Sequence, residues 1–286
     1  MEAHPWECAR YCSHTSEDMK CPICSTHTES AFTALVLGKY EASYRLCHAC
    51  GYLHASEPHW LDEAYSSAIA SSDTGLVMRN ISIGSKLASI LYWGLGERGQ
   101  GRYVDAAGGY GLLVRFMRDI GFDFYWQDEF CKNLLATGFE YESNSGEYDA
   151  VTAFEVLEHL TDPVTFIKNL LNELKSSIFI CSTELYDGKP PRPEDWAYYS
   201  FPTGQHIGFF QKKTLQAIAE QLGLSLASAN GIHVFSNQAL SERKLQVLTG
   251  RWLPKLAPPW TRRRLGAKTL TDSQAMLNRI SVHVCG

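Results

Sequence analysis

The sequence lacks long hydrophobic runs and any strong imbalance of charge. No uninterrupted apolar stretch approaches the roughly 18 residues that a membrane-spanning helix requires, and the first residues show neither the basic nor the apolar segment of a secretion signal. A net charge of -5 argues against a general nucleic-acid-binding protein. No internal repeat or low-complexity segment is present. We therefore expect a folded, cytoplasmic protein with no transmembrane segment and no specific nucleic-acid partner.

Cysteine, in contrast, is abundant at one end of the chain. Six of the nine cysteines lie within the first 50 residues, and in a reducing compartment such clustering indicates metal binding rather than disulfides. Cys21 and Cys24 form one CxxC pair, and Cys47 and Cys50 form a second, with apolar hairpin-like sequence between them. The spacing predicts a four-cysteine zinc ribbon, with a structural role because four thiolates leave no open coordination position. Alternative ligands, which we interpret as bystanders, are Cys8, Cys12, His14, His48 and His54.

From about residue 101 onward, short apolar segments alternate with helical ones. The predicted strands cover residues 103–105, 122–126, 148–154 and 177–182, and the predicted helices cover residues 112–118 and 163–174. Strands separated by helices are typical of an α/β fold with a doubly wound, mostly parallel sheet. Ligands of such sheets bind beyond the carboxyl ends of the strands.

A glycine-rich turn, Asp105-Ala-Ala-Gly-Gly-Tyr-Gly111, follows the first of these strands and precedes a helix. Glycines allow the backbone to approach a ligand closely. The third glycine of a dinucleotide-binding fingerprint is missing, and an acid at the strand end suits a cationic ligand better than a pyrophosphate. S-adenosylmethionine is such a ligand, because it carries both an ammonium and a sulfonium.

The turn resembles the first motif of class I S-adenosylmethionine-dependent methyltransferases. Asp105, Gly109 and Gly111 match that motif, and Ala107 stands where the first glycine is usual. The resemblance implies that Asp105 holds the methionyl amino group, directly or through water, and that Ala107, Gly109 and Gly111 lie under the cofactor. Asp128 ends the second strand 20 residues after Gly108, where an acid can accept both ribose hydroxyls.

A second string, Phe154-Glu155-Val-Leu-Glu158-His159, resembles the fourth-strand motif of these methyltransferases. The resemblance implies that Phe154 and Glu155 lie beside the methionine arm and the transferable methyl group. On a helical turn Glu155, Glu158 and His159 would share one face. Such a trio is linked to a divalent cation in ubiquinone-pathway O-methyltransferases, which the string resembles locally. We favour the alternative that Glu158 and His159 brace the loop by hydrogen bonds.

The aromatic segment from Trp196 to the pair Gln205-His206 resembles a stretch of methyltransferases from bacterial surface-polysaccharide and antibiotic-sugar pathways. Several of those enzymes also carry an N-terminal cysteine-rich zinc module. We interpret His206 as the base that removes a hydroxyl proton during transfer, and we group it with Glu155 and His159 as catalytic. Trp196, Tyr198 and Tyr199 would line the acceptor pocket, because aromatic faces stack well on sugar rings.

These features predict a Rossmann-like methyltransferase with a small N-terminal zinc ribbon. The expected parts are a zinc-ribbon module over residues 1–58, a helical linker over 59–100, an S-adenosylmethionine-binding domain over 101–230 and a C-terminal extension over 231–286. The expected reaction is methyl transfer to an oxygen, with carbon as the alternative, of a sugar-like or other small acceptor in polysaccharide biosynthesis. The competing hypotheses are an NAD(P)-dependent oxidoreductase and a noncatalytic zinc-ribbon scaffold with a relic methyltransferase body.

The C-terminal extension carries a local basic and aromatic patch, in which Arg262, Arg263 and Arg264 follow Trp252 and Trp260. We interpret this patch as a solvated face. The alternative is a weak contact with an anionic lipid surface or another polyanion. The sequence leaves the oligomeric state and the identity of the acceptor open.

Overall fold

The computed structural model describes residues 19–65, 73–96, 98–143 and 146–284. Cys8, Cys12 and His14, considered above as alternative ligands, lie outside the described residues. The strands are β1 (Glu29–Val36), β2 (Tyr40–Leu46), β3 (Leu53–Ala55), β4 (Arg102–Ala106), β5 (Asp123–Gln127), β6 (Ala150–Phe154), β7 (Ile178–Ser182), β8 (Gly208–Phe209), β9 (Ser225–Ala229) and β10 (Ile232–Ser236). The helices are α1 (Leu61–Ala64), α2 (Leu76–Ser89), α3 (Leu112–Asp119), α4 (Pro163–Glu173), α5 (Lys212–Leu222), α6 (Glu242–Leu248), α7 (Leu253–Thr261) and α8 (Thr269–Val284).

The larger sheet has six strands in the order β5-β4-β6-β7-β10-β9. The four strands from β5 to β7 run parallel, and β10 is antiparallel to both of its neighbours. Every residue of β7 is buried, as expected for a strand that is covered on both faces of a parallel sheet. The doubly wound, mostly parallel α/β fold predicted from the sequence is confirmed.

The sheet extends beyond residue 230, where the sequence led us to end the cofactor-binding domain. β10 lies between β7 and β9, with Phe235 opposite Phe179 and Val234 opposite Ala227. Asn230 and Gly231 join β9 to β10, with φ angles of 53° and 76°. An Asn-Gly pair with positive φ at both positions is the preferred two-residue hairpin turn, so these residues connect two strands of one sheet.

The smaller sheet is antiparallel and has the order β1-β2-β3-β8. β1 and β2 form the hairpin predicted between the two cysteine pairs. β8 comes from the part of the chain that follows His206, and it pairs with β3 through Leu53 opposite Phe209. The N-terminal part of the chain and the segment after His206 therefore share one hydrogen-bonded sheet, which holds the chain next to His206 in place.

Helices cover both faces of the large sheet. α2 packs against α3 and α7 on one side, and α4 contacts α5. Helix α8 is tied to α3 by a buried ion pair, in which the Arg118 guanidinium donates from Nε and Nη2 to the two carboxylate oxygens of Asp272, each at 2.8 Å. None of the helices in the described ranges is long and apolar enough to cross a membrane.

Candidate functional site

The glycine turn after β4 adopts left-handed backbone at three positions. Ala107, Gly109 and Gly111 have φ angles of 54°, 56° and 84°. A Cβ atom at Gly111 would lie 2.8 Å from Asn133 Oδ1 and 3.0 Å from the Cβ of Ala136, so only glycine fits at the start of α3. Ala107 stands where the sequence motif usually has glycine. Left-handed backbone is energetically unfavourable for a residue that has a side chain, and Ala107 adopts it nevertheless.

Asp105 lies on β4 directly before this turn and is almost fully buried. The Thr152 hydroxyl, from the neighbouring β6, donates to Asp105 Oδ1 at 2.6 Å. Removal from water raises the pKa of Asp105 to about 7, and the nearby charge of Asp128 adds to the rise. A buried acid poised in this way can change protonation state near neutral pH, and a cationic ligand would favour its charged form.

Asp128 follows β5 and braces the same turn. Its Oδ2 accepts a hydrogen bond from the Gly109 backbone at 2.8 Å, and its Oδ1 accepts from the backbone N–H groups of Phe130 and Cys131 at 2.8 and 2.7 Å. The Trp126 indole donates to the Gly109 carbonyl at 2.8 Å. β4 and β5 are parallel neighbours, and the structure thus brings the two predicted cofactor-binding acids together at the carboxyl edge of the sheet.

Phe154 and Glu155 end the next strand, β6. Phe154 is half-buried, and Glu155 has left-handed backbone with a φ of 54°. The Ser182 hydroxyl, at the end of β7, donates to Glu155 Oε1 at 2.5 Å. Burial and the neighbouring Glu158 raise the pKa of Glu155. Ser182 and Thr152 were not singled out from the sequence, although each lies on a strand at the edge where a ligand would bind.

A turn of 3-10 helix over Leu157–His159 places the rest of the string. The Tyr198 hydroxyl donates to Glu158 Oε1 at 2.7 Å. His159 Nδ1 lies 2.8 Å from the Tyr65 hydroxyl and 3.0 Å from the Gln205 carbonyl. Burial lowers the pKa of His159 to about 3, so this ring stays neutral in the physiological range. These contacts are of the bracing kind that we favoured for Glu158 and His159.

His206 lies against the same turn. Its ring is 4.8 Å from the ring of His159 and 4.6 Å from the ring of Tyr198, both measured between centroids. Its Nδ1 lies 2.6 Å from the carbonyl oxygen of Tyr198. A carbonyl oxygen can only accept, so Nδ1 carries a proton, and in that tautomer Nε2 is the ring nitrogen that can accept one. The aromatic segment thereby sets the tautomer of His206.

Three of these groups lie close enough to share a cation. Ligand atoms of Glu158, His159 and His206 all fall within 4.8 Å of one another, so His206 takes the place that the sequence suggested for Glu155. Glu158 Oε2 is buried and has no hydrogen-bond partner among the described residues. A carboxylate and two imidazoles are ligands that a divalent transition metal accepts.

The aromatic residues before His206 have different surroundings. Trp196 is half-buried and donates from Nε1 to Glu184 Oε1 at 2.8 Å. Tyr199 is almost wholly buried, and its hydroxyl donates to the Pro191 carbonyl at 2.8 Å. Both contribute to the wall of an open cleft of about 300 Å³. Tyr198, in contrast, donates its hydroxyl to Glu158 and packs its ring against His206. Of these three aromatic residues, it is the one that contacts a predicted catalytic residue.

The four predicted cysteine ligands converge. Cys21 Sγ lies 3.6 Å from Cys50 Sγ, Cys24 Sγ lies 3.4 Å from Cys47 Sγ, and all four sulfur atoms fall within 4.8 Å of one another. A disulfide requires about 2.05 Å, whereas thiolates bound to one tetrahedral zinc are about 3.8 Å apart, given Zn–S bonds of about 2.3 Å. The cluster has the donor set and spacing of a metal site.

The two histidines near this cluster point elsewhere. His48 Nε2 lies 3.1 Å from Glu29 Oε2 at the surface, and the buried His54 places Nδ1 3.0 Å from the Ala55 carbonyl. The cysteine cluster itself is packed on α5, where the Thr214 hydroxyl donates to the Cys50 carbonyl at 2.8 Å. The smaller sheet is thus attached to the body of the protein at the cluster as well as through β8.

The comparison with solved structures finds proteins of low sequence identity, and two of the following three are described as methyltransferases. TnmH is 16% identical over 64% of this chain and 62% of its own, with a TM-score of 0.44. The magnesium protoporphyrin IX methyltransferase of Synechocystis PCC 6803, solved with bound SAM, is 15% identical over 63% of this chain and 93% of its own, with a TM-score of 0.38. The mitomycin 7-O-methyltransferase MmcR is 14% identical over 62% of this chain and 59% of its own, with a TM-score of 0.42. The matched part thus corresponds to less than two thirds of TnmH and of MmcR.

No curated protein sequence matches this chain. Residues 84–229 match the family described as a methyltransferase domain, and this range is just over half of the 286 residues. It contains the glycine turn, both acids at the ends of β4 and β5, the string from Phe154 to His159 and the aromatic segment that ends at His206. The chain therefore belongs to this methyltransferase family.

Proposed function

We propose that this enzyme methylates a hydroxyl oxygen of a sugar-like or other small acceptor, with His206 as the base. The observation that carries the proposal is the hydrogen bond between His206 Nδ1 and the Tyr198 carbonyl. It leaves Nε2 as the proton acceptor, beside the turn that holds Glu158 and His159. A carbon acceptor is the alternative, and it would make less use of such a base.

For the methyl donor, we propose that Asp105 pairs with the methionyl ammonium and that Asp128 accepts the ribose hydroxyls. Ala107, Gly109 and Gly111 would allow the backbone of the turn to lie against the donor, with Phe154 and Glu155 beside the reacting end. The buried position of Asp105 supports its role, because a charge pair is strongest where water is excluded. A carboxylate offers about four acceptor positions, and three backbone N–H groups donate to Asp128. One position is left for a first ribose hydroxyl, and the second hydroxyl would have to replace one of these backbone donors.

In the proposed transfer, an oxygen lone pair of the acceptor forms a bond to the methyl carbon while the carbon–sulfur bond breaks. The bonding electrons stay on sulfur, which becomes the neutral thioether of S-adenosylhomocysteine. The hydroxyl proton goes to His206 Nε2. Neutral His159 and the Tyr198 hydroxyl hold the surrounding turn, so most of the rate would come from positioning the acceptor and from proton removal.

The same side chains have a second possible role, because Glu158, His159 and His206 could together bind a divalent cation. The buried, unpartnered Glu158 Oε2 favours it. A bound cation would lower the pKa of an acceptor hydroxyl directly. Activity that survives dialysis against EDTA is expected if His206 acts as the base, and loss of activity that Zn²⁺, Fe²⁺ or Mn²⁺ restores would support the cation instead.

We also propose that Cys21, Cys24, Cys47 and Cys50 bind one structural zinc ion. Four buried or half-buried sulfur atoms at tetrahedral spacing support this role. We keep the four-part division of the chain as a proposal, with the cofactor-binding domain extended to the end of β10 at residue 236. A cytoplasmic location and a place in surface-polysaccharide biosynthesis also remain proposals.

The reaction can be tested before the acceptor is identified. Purified enzyme is incubated with S-adenosylmethionine carrying a deuterated methyl group and with a small-molecule extract of the native cell, and heat-inactivated enzyme serves as the control. We expect mass spectrometry to detect a product that gains the labelled methyl group on a hydroxyl oxygen. Absence of any labelled product would favour the noncatalytic scaffold hypothesis.

Replacing His206 with glutamine is expected to lower kcat about 100-fold, since a general base typically contributes between 100-fold and 10,000-fold. The Kd for S-adenosylhomocysteine should change less than twofold, because the cofactor groups are untouched. Initial rates on the labelled product and calorimetric titration measure the two quantities. The matched control is His59→Gln, at an exposed histidine just before α1. A kcat of His206→Gln within threefold of the wild-type value would show that His206 is not the base.

A further inference from the structure

The outward face of α7 is apolar, which is the reverse of an ordinary surface helix. Pro254, Ala257 and Thr261 are buried, and the helix packs against α2. Trp252, the N-cap directly before α7, and Leu256 and Trp260 on the helix are spaced four residues apart and are 69%, 58% and 43% exposed. Residues four apart lie on one side of a helix, so these side chains form a continuous apolar stripe on the solvent side.

Positive charge surrounds this stripe. The eight charged residues between Glu242 and Asp272 are all cations, in a chain whose net charge is -5: Arg243, Lys244, Arg251, Lys255, Arg262, Arg263, Arg264 and Lys268. The Arg251 guanidinium lies 5.3 Å from the ring centroid of Trp252, and that of Arg264 lies 4.9 Å from the ring centroid of Trp260. Each exposed tryptophan therefore has an arginine beside it.

Glu242 and Asp272, the acids at the two ends of this segment, do not offset its positive charge. Glu242 pairs with Lys212 at 2.6 Å. Asp272 is turned inward, where it binds Arg115 and Arg118. Further exposed apolar side chains follow on α8, of which Leu270 is 83% exposed. The charge of the segment thus remains positive beside a solvent-facing apolar stripe.

We propose that this basic-aromatic surface, formed by Trp252, Leu256, Trp260, Arg251, Lys255 and Arg262–Arg264, docks on an anionic lipid bilayer. Tryptophan and leucine on one helix face enter the headgroup region, and adjacent lysine and arginine are attracted to anionic lipids. Tryptophan is also the residue type enriched at the boundary between acyl chains and water. The helix lies on the membrane and does not cross it.

Charge complementarity selects the bilayer over other occupants. A symmetric dimer through this face would place the same cations opposite one another, and those charges would repel. A nucleic acid would match the cations but would leave the apolar stripe without a use, because phosphates supply most of that binding. An anionic bilayer satisfies both the charged and the apolar side chains.

The test is sedimentation of the full-length protein with vesicles. We expect binding to vesicles of phosphatidylcholine with 30% phosphatidylglycerol, little binding to phosphatidylcholine alone, and loss of binding in 0.5 M NaCl. The variant R262A/R263A should bind the anionic vesicles about 30-fold more weakly, from about 1 kcal/mol for each cation near the surface. The variant W252A/W260A should lose at least about tenfold.

The matched control is K168A/K189A, which removes two exposed cations elsewhere. Thermal melting and S-adenosylhomocysteine binding are measured for every variant to check that the fold and the proposed cofactor site are intact. Failure of the protein to bind vesicles is therefore distinguishable from failure of the proposed reaction. Three outcomes would overturn the proposal: no binding to either vesicle, equal weakening by the control, or a wild-type dimer in analytical ultracentrifugation that W252A/W260A dissociates.

Discussion

Replacing Asp105 with asparagine is expected to weaken S-adenosylhomocysteine binding about 1000-fold and to raise the melting temperature of the ligand-free protein at pH 8. The affinity falls because the methionyl ammonium loses its buried charge partner, a loss of about 4 kcal/mol. Asparagine has nearly the same shape, and its Oδ1 can still accept the hydrogen bond from Thr152. The two expected changes therefore come from charge and not from packing.

The gain in stability follows from the pKa of Asp105, which burial raises from 3.8 to about 7. A carboxyl whose folded pKa is raised contributes full stability below its unfolded pKa and loses that stability as the pH rises through the folded pKa. At pH 8 the wild type has therefore lost up to roughly 4 kcal/mol. Asp105→Asn does not titrate, so its melting temperature should be several degrees higher at pH 8.

The pH profile separates these effects. Calorimetric titration between pH 5.5 and 8.5 should show the affinity of the wild type for S-adenosylhomocysteine falling about tenfold per pH unit below pH 7, because Asp105 must then release a proton on binding. The affinity of Asp105→Asn for S-adenosylhomocysteine should not show this pH dependence, because asparagine has no proton to release. Asp187→Asn, in an exposed loop, is the matched control. An unchanged affinity in Asp105→Asn would contradict the assigned role.

Replacing Cys47 with alanine is expected to abolish zinc binding and to lower the free energy of unfolding by at least about 5 kcal/mol. Structural zinc contributes about 10–16 kcal/mol in small zinc-binding peptides, and Cys47 is completely buried. The loss should extend beyond the smaller sheet, because β3 pairs with β8 and the Cys50 carbonyl accepts a hydrogen bond from α5. We expect poor solubility or a melting temperature lowered by more than about 10 °C.

Elemental analysis should find one zinc per chain in the wild type and in Cys131→Ala, whose thiol lies outside the cluster. If Cys47→Ala is insoluble, the wild type can be stripped with a chelator and a thiol-modifying reagent. The stripped protein should then melt at a lower temperature than the intact protein. Freshly purified wild type without zinc, or a stripped protein with an unchanged melting temperature, would refute the structural zinc ion.

Features determined by neighbouring residues could be predicted from the sequence. The alternation of strands and helices predicted the parallel sheet, because apolar periodicity fixes which segments can be buried. The glycine turn was predicted at Asp105–Gly111 because the left-handed backbone there excludes most side chains. The hairpin of β1 and β2 between the two cysteine pairs followed from local spacing. Family membership was also predicted correctly, from the turn and the string after β6.

One local signal was present and was not used. The pair Asn230-Gly231 indicates a two-residue hairpin, and it would have placed β10 in the sheet. The prolines farther along, at residues 254, 258 and 259, favour a C-terminal extension that begins at residue 231. The boundary then fell inside a hairpin, because a turn and a domain end share the same residue types.

Other features depend on residues that are far apart in the chain. The hydrogen bonds of His159 to Tyr65 and Gln205 span 94 and 46 residues, and the addition of β8 to the sheet of β1 to β3 joins segments about 150 residues apart. Nothing in either local sequence specifies the partner. Such contacts arise only when the whole chain packs and each buried polar group must find a partner.

The sequence by itself therefore determined the fold class, the position of the glycine turn and the pairing of the four cysteines, since backbone conformation and ligand spacing depend on residues close together in the chain. Only the tertiary structure decided that Glu158 and His206, rather than Glu155, lie with His159, and that the stripe of Trp252, Leu256 and Trp260 faces outward. The physical reason is that burial and proximity depend on how helices and strands pack together. That packing buries one side of α7 and leaves its apolar side in contact with solvent.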